Sequence, residues 1–412
     1  MVEEKKLFPF RLEKFEDTFP WGSESLLLAD LGYRDTAVRD GWVRGNSMGD
    51  MMETFLDRLV GDDVFEWYGQ QFPFQVKQIS CKGKMPLMVC PDDETARQRY
   101  DALGKEKLWY IVSAAKEARI YAGLSKEMSV ADFFSACEDG SIEKGLKAIA
   151  PEAGSFVHIP AGTPHCASGN LTILEVSESS AMDFCLCNWG AAPDEDEFDP
   201  ELNLVEALDF VSLQPSTVIL QHPGHSHGEH GAGHEHGAGE HGAGEHGPGH
   251  QHGGHGGERH QHIVEKLLSL PQFTVSRINL SDPLHIYTEK FDSCLAYTCI
   301  SGLLEIKTSG ADLPGTKDNP DLRPVRVVPG ETVLVPAECP DFFLVAAERN
   351  TVLLETMVEK REEVDPYTGE PEEHEHEHEH CDCECDHDDD DDCHCGHHHH
   401  HDCHCGHDKY PS

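Results

Sequence analysis

The strongest constraint on the fold is a repeat that the chain carries within itself. Gly154-Ser-Phe-Val-His-Ile-Pro-Ala-Gly-Thr-Pro-His165 aligns without gaps on Gly330-Glu-Thr-Val-Leu-Val-Pro-Ala-Glu-Cys-Pro-Asp341, and both copies read G-x-x-V-x-[IV]-P-A-x-x-P. Each copy begins with a glycine turn, continues as a short strand rich in β-branched residues, and stops at a corner where proline cannot donate to a sheet ladder. A repeat on this scale implies two units of one architecture.

Short strands with turn signals surround both copies: LWYIVSA (108–114), RIYAGL (119–124), LTILEVS (171–177), CLAYTCI (294–300) and LLEIKTSG (303–310). Many short strands at close spacing predict small barrels or sandwiches. The expected fold is therefore mainly β, with two cupin-type β-barrel (double-stranded β-helix) domains. Helical pattern interrupts the first from Ser129 to about Ala150, where Ser129 and Asp132 have the spacing of a capping box, and returns at 203–213. The chain then divides into an N-terminal domain at 1–221 with its helical insertion near 129–150, a linker at 222–262, a C-terminal domain at 263–360 and a tail at 361–412.

Linker and tail hold nearly all the histidine. Thirteen of the 29 histidines fall in 222–262 and thirteen in 374–407, leaving His158, His165 and His285. The linker repeats HGAGE, which sets His236, His241 and His246 five residues apart among residues with no apolar face to bury. The tail carries Cys381, Cys383 and Cys385, then Cys-His-Cys-Gly-His twice, as Cys393, His394, Cys395 and again as Cys403, His404, Cys405, His407. Its five-histidine run at 397–401 lies between those copies and is read as native. A solvated low-complexity spacer would need no cysteine. Thiolate with imidazole and carboxylate is the donor set of zinc, with nickel and copper as alternatives.

A formal charge of −44 argues against nucleic acid and anionic lipid as partners and suits a protein that gathers cations. The N-terminus lacks an apolar core of signal-peptide length and no later stretch approaches a membrane span, so the expected location is cytoplasmic. Sixteen cysteines there imply thiols and metal thiolates rather than disulfides.

Four ordered motifs carry a family resemblance: Trp21-Gly22, FPFQVKQISCKGKMPLMVCPDD (72–93), GKEKLWYIV (104–112) with FVHIPAGTPH (156–165), and LEVSESSAMDFCLCNWG (174–190). The chain resembles type I mannose-6-phosphate isomerase in its short bacterial form, as a divergent member, over roughly 7–215 and more loosely over 263–358. The resemblance implies interconversion of mannose 6-phosphate and fructose 6-phosphate beside a zinc ion that polarises substrate oxygens. It gives Lys105 the place of a catalytic lysine, His165 that of a metal ligand and Lys77 that of a substrate-binding cation. Three family ligand positions are replaced, with Met88 where Gln or Lys is expected, Cys90 for His and Lys107 for Glu.

Cys90 can bind zinc as a thiolate, but an ammonium at Lys107 repels a dication and removes its counter-charge. Glu106 cannot substitute, because neighbours on a strand face opposite ways. One possibility is that the Lys107 ammonium occupies the metal's place. Two family arginines are missing from Phe184–Ala191 and a third from Asp199-Pro-Glu-Leu202. At about 1–3 kcal/mol per charged contact, sugar-phosphate binding should be much weakened. Cys90, Cys185 and Cys187 also read as small buried hydrophobes, and His165 as an ordinary corner residue. The expected function is an isomerase-like double cupin with an impaired inherited site, which binds, stores or senses zinc-like metal through its His/Cys-rich segments. Two alternatives stay open: a working isomerase with a rebuilt Cys90–His165 metal site, and a metallochaperone.

Overall fold

The computed structural model describes residues 5–190, 204–223, 263–309 and 323–359. Within them the two copies of the repeat sit at matching places in two β units. In each, a glycine of positive φ (+85° at Gly154, +82° at Gly330) leads into a strand, Phe156–Ile159 or Thr332–Val335.

Each unit is a larger sheet facing a smaller one. The first unit's large sheet runs in the order Phe156–Ile159, Lys107–Ala114, Leu171–Glu178, Phe74–Cys81, Gly22–Leu28, Phe15–Phe19. Its small sheet runs Phe184–Cys187, Leu87–Val89, His165–Ser168, Arg119–Leu124, Leu146–Ile149. The second unit's large sheet is Ile263–Ser269, Thr274–Leu280, Thr351–Met357, Leu295–Ser301, Thr332–Val335, continued by Phe10–Glu13 and Ala37–Val38. Its small sheet is Leu284–Ile286, Phe342–Ala346, Leu304–Thr308, Val325–Val327. All the pairings between these strands are antiparallel. The architecture is mainly β and of the cupin type, as the strand spacing predicts.

The first strand among the described residues therefore belongs to the second unit's sheet, with Phe10 opposite Leu334 and Arg11 opposite Val333. Two side-chain pairs reinforce the seam, Arg39–Glu331 at 2.8 Å and Arg58–Glu338 at 2.9 Å.

The central strands of the first unit's large sheet are buried on both faces, which explains why the run from Leu108 to Val112 is continuously apolar. Along Lys107–Ala114, Leu108 and Tyr110 point to a core shared with the second unit, whereas Trp109 and Ile111 point into the first unit's own interior. The shared core is completed by Met48–Phe55, a helix opened by a reciprocal Ser47–Asp50 capping box. Met48, Met51 and Met52 are fully buried there, each contributing on the order of 1.5–3 kcal/mol. Two short helices, Asp57–Val60 and Asp62–Tyr68, follow.

The expected helical stretches are shorter than the sequence pattern suggests. Ser129 caps a helix at Val130–Glu138, but a 3₁₀ turn at Ser141–Gly145 and a strand at Leu146–Ile149 follow it. Among the described residues of 203–213, only Leu204–Ala207 is helical. No helix among the described residues is long and apolar enough to cross a membrane.

Candidate active site and cation cage

The alternation that sends Leu108 outward sends Lys107 and Trp109 into the first unit, and it sends Gln75 and Lys77 there from the neighbouring strand Phe74–Cys81. Strand register puts Glu175 opposite both Lys77 and Trp109, so three side chains line up across adjacent strands. Trp109 Nε1 donates to Glu175 Oε2 at 2.6 Å, and Lys77 Nζ lies 3.3 Å from Glu175 Oε1 and 3.2 Å from Glu24.

Lys107 is the centre of the arrangement. Its Nζ stands 3.1 Å from His165 Nε2, 2.6 Å from Asp183 Oδ1 and 3.9 Å from Glu175 Oε2. The side chain is 3% exposed, so its charge depends on these partners and not on water. Burial opposes that charge, but the fields of Asp183 foremost and of Glu175 outweigh it, and the lysine pKa is raised well above its ordinary value. Burial would likewise raise Asp183. Lys105 and Lys107 overcome this and hold its carboxylate well below the usual range.

Lys105 comes from the loop just before the strand. It donates to the carbonyl of Ser180 at 2.6 Å and to Asp183 Oδ2 at 2.5 Å. Gly104 makes that approach possible, because a Cβ there would meet Asp93 N at 2.4 Å and Asp92 C at 2.5 Å. Glu106 faces away, as strand alternation requires: its carboxylate takes His158 Nε2 at 2.7 Å and Ala161 N at 3.2 Å.

His165 opens the strand after the repeat's corner. Its Nδ1 lies 2.9 Å from the Thr163 carbonyl, which can only accept, so Nδ1 carries the proton and Nε2 offers its lone pair to the Lys107 ammonium. Burial, followed by repulsion from Lys107, lowers the histidine pKa to about 3. Cys90 Sγ lies 3.1 Å from Asp183 Oδ1. Burial, with Asp183 next, pushes the Cys90 thiol up to about 12.

Of the residues singled out in the sequence, Lys77, Lys105, Lys107, His165 and Met88 line one cavity of about 290 Å³, and Cys90 reaches it through Asp183. Cys185 and Cys187 are buried in the strand behind. His236, His241 and His246, and the cysteines and histidines of the tail from Cys381 to His407, lie outside the described residues. Sequence reasoning missed Asp183, Glu175 and Glu24.

The donor atoms of Cys90, His165 and Asp183 lie within 4.8 Å of one another, a set that could hold a metal ion. The fit is poor as the side chains stand. Lys107 is hydrogen-bonded to two of the three donors, and the third is a protonated thiol where zinc requires a thiolate.

No family model matches the chain. The chain is 23% identical over 212 residues to mannose-6-phosphate isomerase ManA of Bacillus subtilis, spanning 47% of this chain and 64% of that protein. It is 25% identical over 142 residues to mannose-6-phosphate isomerase of Streptococcus mutans, spanning 34% and 44%. In both cases the match is shorter than two thirds of the relative. Among solved structures, mannose 6-phosphate isomerase from Bacillus subtilis superposes with a TM-score of 0.63 at 17% identity, covering 85% of this chain and 99% of that one. In sequence and in fold, the chain is similar to the mannose-6-phosphate isomerases, at low identity. The enzyme from Salmonella typhimurium gives a TM-score of 0.57 at 10% identity, over 85% and 99% of the two chains. At these identities the likeness to solved structures is one of fold alone.

Proposed function

We propose that the chain is a mannose-6-phosphate isomerase-like double cupin whose inherited site no longer isomerises, and that its traffic in zinc-like divalent metal has passed to the His/Cys-rich segments, which bind, store or sense the ion. The observation that carries this reading is the Lys107 ammonium hydrogen-bonded between His165 and Asp183. A fixed monovalent cation neutralises the same donors that a metal would need. It lacks the open coordination positions with which a metal polarises two substrate oxygens.

The lysines cannot take over as bases. Lys105 and Lys107 share one carboxylate, and an ammonium held in that way has no lone pair to accept a proton from a sugar carbon. His165 Nε2 does have one, but it is bonded to Lys107 and its basicity is low. Sugar-phosphate affinity, if retained at all, is weak under this reading, because the family's arginines are missing.

A second reading, a working isomerase with a rebuilt site, has one observation in its favour, the Cys90–His165–Asp183 donor set. A coupled assay for fructose 6-phosphate formation from mannose 6-phosphate, on the full chain at buffered free zinc, separates the two. The expected outcome is no turnover above background together with stoichiometric zinc uptake. Replacing Cys393, Cys395, Cys403 and Cys405 by serine should lower that uptake. Robust turnover would sink the impaired-site reading, and zinc uptake indifferent to the tail cysteines would return the metal to the core. A metallochaperone would additionally pass its zinc to an acceptor protein faster than free zinc is released.

A further inference from the structure

We propose that the cavity beside Lys107 receives an uncharged monosaccharide or polyol, in preference to a phosphate ester. This rests on the reading that Lys107 has replaced a metal, and three observations carry it further.

The first is charge. Each of the three lysines in the cavity is already paired: Lys77 with Glu24 and Glu175, Lys105 with Asp183, and Lys107 with Asp183. These three ammonium groups meet three carboxylates, and Arg34 at the wall is paired with Asp17 at 3.2 Å. An arriving dianion finds no uncommitted cation, and it must break a buried ion pair while facing the carboxylates. A hydroxyl group has no such conflict. It donates to a carboxylate and accepts from an ammonium while the pairs stay intact.

The second observation is an unmet acceptor. Gln75 is 1% exposed and lines the cavity; its amide nitrogen donates to Ser177 Oγ at 2.9 Å, but its carbonyl oxygen has no hydrogen-bond partner. A buried acceptor left unpaired costs on the order of 1–3 kcal/mol. It calls for a donor, which a sugar hydroxyl supplies.

The third is the apolar wall. Phe19 and Trp21 are stacked with ring centroids 5.0 Å apart and planes within 4°, and both line the cavity. Flat aromatic surface beside a polar network suits a ligand with one C–H face and a rim of hydroxyls. The volume of about 290 Å³ lies at the small end of ligand sites, where a single sugar ring fits and a larger ligand does not.

Titration calorimetry and saturation-transfer NMR on the full chain, with mannose, fructose and mannitol against mannose 6-phosphate and inorganic phosphate, test the proposal. At least one neutral probe should bind saturably and more tightly than mannose 6-phosphate, and inorganic phosphate should not displace it. Trp21→Ala should weaken that neutral probe about tenfold. Glu24→Gln, at the cavity's edge, frees Lys77 from one partner and should move the preference toward the phosphate ester by several-fold.

Tighter binding of the ester than of its neutral parent, no binding of any neutral probe, or an unmoved preference in E24Q would each overturn the proposal. These failures are distinct from failure of the impaired-site reading, which only turnover of mannose 6-phosphate reveals. Unchanged far-UV circular dichroism in W21A and E24Q separates loss of the cavity from loss of the fold.

Discussion

The two β units place a glutamate at the same point and treat it in opposite ways. Glu175 lies opposite Lys77 and Trp109; Glu355 lies opposite Ser276 and Tyr297. Lys107 pairs with Ile159 at the end of the repeat strand, where the second unit has Leu295 opposite Val335. With lysines around it Glu175 is ionised, its pKa lowered because Lys107 and Lys77 outweigh the cost of burial. Without them, burial dominates at Glu355 and raises its pKa, against a smaller opposing effect of the Tyr297 hydroxyl. The repeat's last residue diverges too. His165 turns inward to Lys107, whereas Asp341 accepts from Thr288 N at 2.9 Å and Thr288 Oγ1 at 3.1 Å. One architecture thus yields a charged cage in one unit and a largely apolar interior in the other, and the lysines and the repeat's last residue make the difference.

The largest effect should come from removing the cage's shared counter-ion. Asp183→Ala leaves Lys105 and Lys107 buried without their common carboxylate, which should cost on the order of 3–5 kcal/mol. Urea denaturation would show it as a shifted midpoint with little change in slope. Glu355→Gln in the second unit strands no cation, so the same measurement should move by less than about 1 kcal/mol. Equal effects at the two sites would mean that the buried lysines of the first unit do not depend on their shared carboxylate.

Next in size is the dependence on pH, and the two glutamates should give opposite signs. Glu175 has a folded pKa below its unfolded value of about 4.5. Its contribution is therefore present above that value and lost as the medium is acidified toward its folded pKa of about 2. Glu355 has a raised folded pKa, so its contribution is complete below about 4.5 and lost as pH rises through the folded value. Hence Glu175→Gln should destabilise most near neutrality and least near pH 3, while Glu355→Gln should be neutral or stabilising near neutrality. Glu178 sharpens the contrast within the first unit. Burial, then Asp93, raises it to about 8, so Glu178→Gln should flatten the loss of stability between pH 4.5 and 8. At about 1.4 kcal/mol per pH unit, a value raised from 4.5 to about 8 sets an upper bound of about 4 kcal/mol on the gain at pH 8. Thermal melts across pH would reverse the account if E175Q and E355Q ran in parallel.

The strands and the repeat were legible in the sequence because they depend on local pattern. RIYAGL is a strand at Arg119–Leu124, and the run at 108–114 is one at Lys107–Ala114. The inward turn of Lys107 and the outward turn of Glu106 follow from alternation alone. The helices at 48–68 were missed because three short segments, broken at Leu56 and Gly61, never build an extended amphipathic period. Asp183, Glu175 and Glu24 were missed for another reason. In a chain with 76 acidic residues a carboxylate carries no signal of its own, and only strand register and a loop's return bring these three to the lysines.

A smaller effect is expected at Cys90, and it bears on whether the cage can be reopened to a metal. The thiol is 2% exposed and its pKa is pushed up to about 12, so at neutral pH it is a protonated group beside Asp183. Alkylation of Cys90 by iodoacetamide in the native state should be negligible at pH 7.5, and Cys90→Ser should cost less than about 1.5 kcal/mol, as a polar group of similar size keeps the bond to Asp183. Lys107→Glu reverses the local logic, because the cation is gone and a carboxylate takes its place. That variant should bind one further equivalent of zinc relative to the parent chain, and it should lose that equivalent when His165→Ala is added. If K107E takes up no more zinc than the parent, then the side chain at 107 is not what separates this cage from a metal site, and the contrast with the second unit reduces to one of stability.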